Sequence, residues 1–315
     1  MLGRSANGIF WLFRYLERAE NTARLIEAGF RMALTRDSGA ASEEWRSVLV
    51  TLGLHAAFAA RHGEDVTGAQ VFNFVLRDRD NPASVLAMIE MARTNARMVR
   101  TGITREVWEA VNESWMKLKD MLARPVTEAR LRDVLDAVRR QATQVRGAME
   151  GTMLRNDIYY FARIGTAVER ADNTARILDV KYYVLLPSLS AVGSSLDNVQ
   201  WDNVLRAVAG ERAYRWLNAG QMDPRGIARF LILDERFPRA LAFCYDELST
   251  NMALLAREYG FETEAHAIQR QGQEWLARLT IEAIFEQGLH QFIGEFLACN
   301  HRLAQQIQRD YRFVE

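Results

Sequence analysis

The chain contains few of the residues from which covalent or metal-based sites are usually built. It has two cysteines, Cys244 and Cys299, and five histidines among its 315 residues. The cysteines form no Cys-x-x-Cys pair and give no disulfide framework. We therefore expect a reducing compartment and a cytoplasmic protein.

The chain also lacks a net charge and a long apolar run. Forty basic and 40 acidic residues cancel, which argues against a general binder of nucleic acid or of anionic membranes. No segment approaches the roughly 20 apolar residues that a membrane-spanning helix needs. Residues 1–13 lack the apolar core and cleavage site of a signal peptide. The sequence therefore predicts a protein without nucleic-acid or membrane partners.

One motif of eight residues occurs twice. Residues 17–24 read Glu-Arg-Ala-Glu-Asn-Thr-Ala-Arg, and residues 169–176 read Glu-Arg-Ala-Asp-Asn-Thr-Ala-Arg. The copies differ at one position, where Glu20 and Asp172 both carry a carboxylate. We interpret the repetition as an internal duplication.

Further matches extend the duplication over much of the chain. The motif recurs at an offset of 152 residues, and later matches such as Trp45 with Trp201 lie at an offset of 156. One four-residue insertion in the loop 187–197 explains the change. Apolar residues recur at helical spacing, and no convincing strand pattern appears. We predict a multi-helical, all-α fold of two duplicated halves, 1–155 and 156–315, packed about a pseudo-twofold axis into one compact unit.

Caps and helix breakers predict where several helices begin and end. Residues 7–34 read as one long helix that carries the first motif. Ser42 is a suitable N-cap for a helix that ends at His62. Asn81 followed by Pro82 predicts another helix start.

Other segments give weaker or simpler signals. Residues 67–80 are apolar, and their pattern leaves the element type open. Thr104 and Thr127 are expected N-caps of two further helices. Pro224 is expected in a loop, and residues 275–313 are helical by period.

The repeated motif is the candidate site because it keeps polar residues on one helical face. Glu17, Glu20 and Arg24 stand at spacings i, i+3 and i+7, so they project together. Asn is a poor helix former, yet both copies of the motif keep it, at Asn21 and Asn173. We therefore expect this face to be buried or to bind a ligand. The candidate residues are Glu17, Arg18, Glu20, Asn21, Arg24, Glu169, Arg170, Asp172, Asn173 and Arg176.

Two interpretations of these residues remain open. In the first, the carboxylates pair with arginines and form a structural lock that fixes the two motif helices against each other. In the second, the two motifs line a charged cleft between the halves, suited to a peptide that carries both a carboxylate and an amine.

No metal, cofactor or catalytic residue is predicted. Di-metal sites in helical bundles use Glu-x-x-His, whereas the residue three positions after Glu17 is Glu20, and neither motif contains histidine. Neighbouring arginines would compete with a cation. No Gly-x-Ser-x-Gly, phosphate-binding loop or His-Glu-x-x-His motif occurs. These absences favour a non-catalytic protein, and an enzyme that uses the paired carboxylates as acid and base is the alternative.

Two further groups of side chains are secondary candidates. The first is a stripe on one helix face, either solvated or suited to carboxylates, formed by Arg93, Arg97 and Arg100. The second is a group of aromatics that we expect to be exposed, formed by Phe285, Phe292 and Phe296. Exposed aromatics of this kind would support a homo-oligomeric scaffold.

Several segments resemble the bacterial alpha-E domain family over essentially the whole chain. They are residues 1–4, 11–20, 95–100 with Trp108, 151–153, 169–172 and 288–290. One departure is Tyr159-Tyr160, where a Trp is expected ahead of Phe161. The resemblance implies an all-helical protein of poorly defined function. It also implies partners of the circularly permuted ATP-grasp ligase and transglutaminase-like classes, and a role in making or trimming a peptide.

Overall fold

The computed structural model describes residues 3–34, 38–183, 195–218 and 222–313. Within these residues the chain forms 15 helices and no strand, which confirms the all-α prediction. They cluster into two compact units, Met1–Gly165 and Thr166–Glu315. The predicted halves, 1–155 and 156–315, and their pseudo-twofold axis stay predictions.

The first unit is built around its N-terminal helix. Its helices are α1 (Gly3–Ala33), α2 (Ser38–Thr51), α3 (His55–His62), α4 (Gly68–Arg77), α5 (Val85–Met98), α6 (Arg105–Met121), α7 (Glu128–Thr152) and the beginning of α8 (Asp157–Tyr183). Helix α1 contacts α2, α4, α5 and α7. Apolar residues such as Phe10, Leu12 and Phe13 are fully buried against these neighbours, and each contributes roughly 1.5–3 kcal/mol.

Helix α8 approaches α1 closely near its N-terminal end. Gly165 lies so near Phe10 that a Cβ added there would stand 2.4 Å from the Phe10 carbonyl oxygen. A glycine removes the side chain that would keep the two backbones apart. The close approach at this position therefore depends on the missing Cβ.

Side-chain caps fix several helix starts in the first unit. The Thr67 hydroxyl accepts from the Gln70 backbone, which completes a capping box at α4. The segment 67–80, whose element type the sequence pattern left undecided, is therefore mainly helical. Ser84 caps α5 and Thr104 caps α6, as predicted for Thr104.

The predicted helix start, with Asn81 as N-cap and Pro82 as first helical residue, is wrong by three residues. Asn81 and Pro82 form a turn ahead of Ser84, and α5 begins at Val85. The Asn81 Oδ1 accepts from the Ala83 backbone N–H at 3.0 Å, and its Nδ2 donates to the Phe74 carbonyl at 3.1 Å. The Asn side chain thus closes a local turn instead of capping the helix.

The predicted cap at Ser42 is also wrong. Ser42 lies inside α2, and its hydroxyl donates to the Val66 carbonyl at 2.7 Å. The single helix predicted from Ser42 to His62 is two helices, because the chain turns at residues 52–54. Gly53 takes a φ of +68° there, a conformation that favours glycine.

The second unit contains the rest of α8 and seven more helices. They are α9 (Ser195–Ala207), α10 (Glu211–Leu217), α11 (Pro224–Leu233), α12 (Leu241–Tyr259), α13 (Glu264–Arg278), α14 (Ile281–Gln287) and α15 (Leu289–Asp310). Helix α12 packs on α11 and α13, and α15 packs on α13 and α14. Helices α11 and α12 begin 156 residues after α4 and α5, since 68 + 156 is 224 and 85 + 156 is 241.

Two predictions about the second unit, for Pro224 and for the C-terminal aromatics, are wrong, and a third falls on residues that the structure does not describe. Pro224 opens α11 after the N-cap Asp223, where a loop was expected. Phe292 and Phe296 are fully buried and Phe285 is half-buried, so the expected exposed aromatic interface is wrong. The predicted insertion loop, 187–197, lies largely outside the described residues.

Within the described part of the chain, no helix is both long enough and apolar enough to cross a bilayer.

Candidate functional site

The first motif occupies the middle of α1, where neighbouring helices cover the polar face as well as the apolar one. Glu17 and Glu20 are each 1% exposed, and Asn21 and Thr22 are each 2% exposed. A carboxylate in this position loses its hydration and needs a compensating charge or hydrogen bonds.

Two arginines supply that compensation in the first unit. The Arg24 Nη2 lies 2.7 Å from the Glu20 Oε1, one helical turn away. From α7, the Arg146 guanidinium forms a salt bridge with Glu20 and lies 3.4 Å from the Glu17 Oε2. Charge-assisted contacts of this kind stabilise a buried carboxylate, and removing one partner would leave charge uncompensated.

A second ionic contact continues the line along the same two helices. Arg139 of α7 pairs with Glu27 of α1 and with Asp136 on its own helix. Glu20 and Glu27 are seven residues apart, as are Arg139 and Arg146, and seven residues correspond to about two helical turns. The pairs run in opposite chain directions, so α1 and α7 are antiparallel. We call this set, Glu20, Glu27, Arg139 and Arg146, the α1–α7 ion ladder.

The second motif lies on α8 and makes different contacts within its own unit. Glu169 is 3% exposed and Thr174 is 0% exposed. The Thr174 hydroxyl donates to the Arg239 carbonyl at 2.8 Å, and the Arg170 Nη1 donates to the Pro238 carbonyl at 3.2 Å. These bonds tie the motif to the segment between α11 and α12.

Two further contacts hold this part of α8. The Asn300 Nδ2 of α15 donates to the Val168 carbonyl at 3.1 Å in a buried position. Arg176 pairs with Asp172 at 2.6 Å across one helical turn, as Arg24 does with Glu20. Asn173 is 9% exposed. A cleft shared by both motifs stays a prediction.

A third polar cluster joins α7 to the start of α8. The Tyr159 hydroxyl donates to the Glu150 Oε2 at 2.7 Å, and Arg163 lies 2.6 Å from the Glu150 Oε1. Burial and this hydrogen bond raise the pKa of Tyr159 to about 12. Burial works to raise the pKa of Glu150, but the Tyr159 hydrogen bond and the charges of Arg163 and Arg155 outweigh it, so that pKa is lowered.

Of the predicted arginine stripe, Arg93 and Arg97 lie on α5 and Arg100 lies in the turn after it; Arg93 and Arg100 contact tryptophans of α6. The Arg93 Nε donates to the Asn112 Oδ1 at 2.8 Å, and its guanidinium lies 4.2 Å from the centre of the Trp115 ring. Arg100 lies 5.5 Å from the Trp108 ring, while Arg97 is exposed. The stripe is therefore partly a cation–π seam between two helices.

A cleft that the sequence did not predict is formed by α3, α4, α5 and α6. The cleft has a volume of about 640 Å³, within the usual range of ligand sites. Its apolar wall includes Phe74, Leu86 and Leu122. An adjoining cavity of about 220 Å³ is lined by Trp115 and Glu90. The two cavities together form what we call the α4–α6 cleft.

Cations from separate elements surround this cleft. They are Arg61 on α3, Arg77 at the end of α4, Arg79 in the following turn and Lys119 on α6. Arg79 and Lys119 line both cavities. The only sequence signal was the alternating run Arg77-Asp78-Arg79-Asp80, in a segment whose element type the pattern left open.

The second unit has a smaller cleft at corresponding positions. It has a volume of about 300 Å³ and is lined by residues that include Leu233, Glu235 and Asp246. At the offset of 156 these correspond to Arg77, Arg79 and Glu90. The two cations of the first unit are thus replaced by an apolar and an acidic residue.

Among the described residues, no group of three or more His, Cys, Asp or Glu side chains is placed to hold a metal ion. His266 is 3% exposed and its two ring nitrogens contact the Thr263 backbone and the Met252 carbonyl. This histidine is therefore a structural residue.

Comparison with known proteins adds one finding. A family model, described as a predicted alpha-helical domain with a conserved ER motif, matches residues 1–312. A Glu-Arg pair opens both copies of the repeated motif, at Glu17-Arg18 and Glu169-Arg170. No curated protein and no solved structure matches the chain.

Proposed function

The chain belongs to the Alpha-E family, and from this premise we propose that it is a non-catalytic accessory protein that binds a peptide. Its partner is a peptide ligase of the ATP-grasp type, or a transglutaminase-like protein, in a bacterial cytoplasm. The family resemblance suggests this setting, and the neutral charge of the chain is compatible with it.

The observation that carries the non-catalytic part of the proposal is the state of the first motif. Glu17 and Glu20 are buried, and both contact Arg146. A general acid or base must reach a substrate and must exchange its proton near the working pH. Carboxylates that are buried against a guanidinium are better suited to holding two helices together.

We further propose that the two units are duplicated halves arranged about a pseudo-twofold axis. The near-identity of the two motifs supports this, as do the helix starts of α4 and α11 and of α5 and α12, which differ by 156 residues in both cases. Under this proposal the two motifs do the same structural work, once in each half.

Co-purification tests the partnership. Tagged full-length protein is expected to retain an ATP-grasp ligase of the same organism, and deletion of the protein is expected to reduce the peptide product of that ligase. The proposal is wrong if the tagged protein never retains the ligase and the product is unchanged by deletion.

Two variants separate the non-catalytic reading from the enzymatic one. Glu17→Gln and Glu169→Gln each alter a buried carboxylate, so we expect a lower melting temperature and unchanged product per folded molecule. Glu286→Gln, at an exposed position, is the matched control. Loss of product with an unchanged melting temperature would instead support chemistry by the paired carboxylates.

A further inference from the structure

Three cations around the α4–α6 cleft have no salt bridge with a carboxylate among the described residues. They are Arg77, Arg79 and Lys119. Arg61, the fourth cation, already pairs with Asp78 at 3.3 Å and Asp80 at 2.9 Å. Asp78, Asp120 and Glu90 also line the cleft, so its four cations exceed its three carboxylates by one.

Arg77 is fixed in place without losing its charge. Its Nε donates to the Leu122 carbonyl at 2.9 Å, and its Nη2 donates to the Ala123 carbonyl at 3.2 Å. Neutral carbonyls orient a guanidinium but leave its full positive charge. The side chain is thus ordered before any anion arrives, which lowers the entropic cost of binding one.

Arg79 and Lys119 stand where the two cavities of the cleft meet, since both residues line both cavities. Both are exposed, and the Lys119 Nζ lies 4.6 Å from the Trp115 ring centre. A carboxylate placed between them would contact two cations at the edge of an apolar wall, where Coulomb attraction is stronger than in bulk water.

The second unit indicates that this charge is not required by the fold. Helices α11, α12 and α13 line the cleft there, and Leu233 and Glu235 occupy the positions of Arg77 and Arg79. The second-unit cleft has one arginine, Arg229, beside the acidic Glu235 and Asp246, so the excess of cations in the first-unit cleft is not repeated there.

We propose that the α4–α6 cleft binds a peptide through a carboxylate, with Arg77, Arg79 and Lys119 as the receiving cations. The apolar wall at Phe74, Leu86 and Leu122 takes the neighbouring aliphatic part of the peptide. This inference rests on the proposed function as a peptide-binding protein and supplies its site. The carboxylate belongs either to acidic side chains or to the C-terminus of the peptide.

Fluorescence anisotropy with short labelled peptides tests the proposal on the full-length protein. The probes are tetraglutamate with an amidated C-terminus, tetraalanine with a free C-terminus, and amidated tetralysine. We expect saturable binding of at least one of the first two and none of tetralysine. Binding of tetraglutamate assigns the site to acidic side chains, and binding of tetraalanine assigns it to the terminal carboxylate. Failure of both overturns the proposal.

A matched pair of double variants locates the binding. Arg79→Ala with Lys119→Ala removes two exposed cleft cations. We expect the affinity for the peptide to fall by at least about tenfold, which corresponds to about 1.4 kcal/mol. Arg132→Ala with Lys117→Ala removes the same charge from exposed positions on α7 and α6 that do not line the cleft, and we expect unchanged affinity. Melting curves establish that both variants are folded.

Equal weakening in both double variants would show binding by net charge alone and would overturn the proposal, as would full binding by the cleft variant. Co-purification of the ligase is measured separately. Peptide binding without ligase retention would contradict the proposed partnership but support the cleft, and ligase retention without peptide binding would do the reverse.

Discussion

At the scale of single residues, the sequence predicted which side chains of the first motif are constrained but not what constrains them. The spacing of Glu17 and Glu20, and the retention of Asn21, indicated a face that is buried or bound. One of the two arginines that neutralise this face is Arg146, which is 129 residues away from Glu17 in sequence, whereas Arg24 is one helical turn from Glu20. No local pattern identifies a partner at that separation.

Arg146→Met tests the importance of this partner. The variant keeps most of the side-chain volume but leaves two buried carboxylates with less compensation. We expect a loss of about 3 kcal/mol in the free energy of unfolding, measured by urea denaturation. Arg140→Met, at an exposed position on the same helix, is expected to change it by less than about 0.5 kcal/mol. Equal effects of the two substitutions would contradict a special role for Arg146.

At the scale of helices, capping and helix-breaking residues predicted that a helix exists better than they predicted where it begins and ends. Thr104 caps its helix as expected, and its hydroxyl also lies 2.7 Å from that of Thr152. Asn81 and Ser42 were misassigned because their side chains bond to distant carbonyls, of Phe74 and Val66. Such tertiary bonds override a local capping preference.

The same limit applies to the candidate cleft. Its cations come from α3, α4, the turn after α4, and α6, so they converge only when these helices pack. The motif could be found by repetition along the chain, whereas the cleft repeats in position but not in residue type.

The close approach of α8 to α1 gives a prediction at this scale. Gly165→Ala would bring a Cβ within 2.4 Å of the Phe10 carbonyl oxygen. Because backbone atoms must then move apart, we expect a destabilisation of about 1–3 kcal/mol.

Gly147→Ala is the matched control, since a Cβ at this α7 glycine meets nothing within 4 Å. An alanine in a helix interior is favoured over glycine by about 0.5–1 kcal/mol. The two substitutions should therefore move the thermal midpoint in opposite directions, and a stabilising Gly165→Ala would contradict the close contact.

At the scale of the whole molecule, we expect carboxylates with lowered pKa values to contribute to the acid limit of stability. The pKa of Glu150 is lowered below 4.5, and a side-chain hydrogen bond from Arg236 lowers that of Asp234 below 3.8. Carboxylates with depressed pKa values contribute stability above their unfolded pKa and lose it as the pH falls through the folded value. We therefore expect stability to decline below about pH 4.5.

At alkaline pH, we expect the stability of the protein to depend on tyrosines whose pKa values are raised. Burial raises the pKa of both Tyr159 and Tyr311 from 10 to about 12. A raised pKa contributes stability that is complete below pH 10 and is lost as the pH rises toward 12. Thermal melts between pH 8 and 12 should show this decline, and Tyr159→Phe should make it shallower. An unchanged slope in Tyr159→Phe would contradict the assignment.

The α1–α7 ion ladder has a consequence for how these two helices find their alignment. Its two ion pairs, Glu20–Arg146 and Glu27–Arg139, are seven residues apart on each helix. Sliding one helix past the other by a single turn, about 5.4 Å, would therefore break both pairs at once. A shifted pairing would separate the buried Glu20 from Arg146, while Arg24 of its own helix would move with it, and losing one partner of a buried ion pair is destabilising. Apolar surfaces alone tolerate such slippage far better. The two ion pairs therefore favour a single register of α1 against α7 over the neighbouring registers.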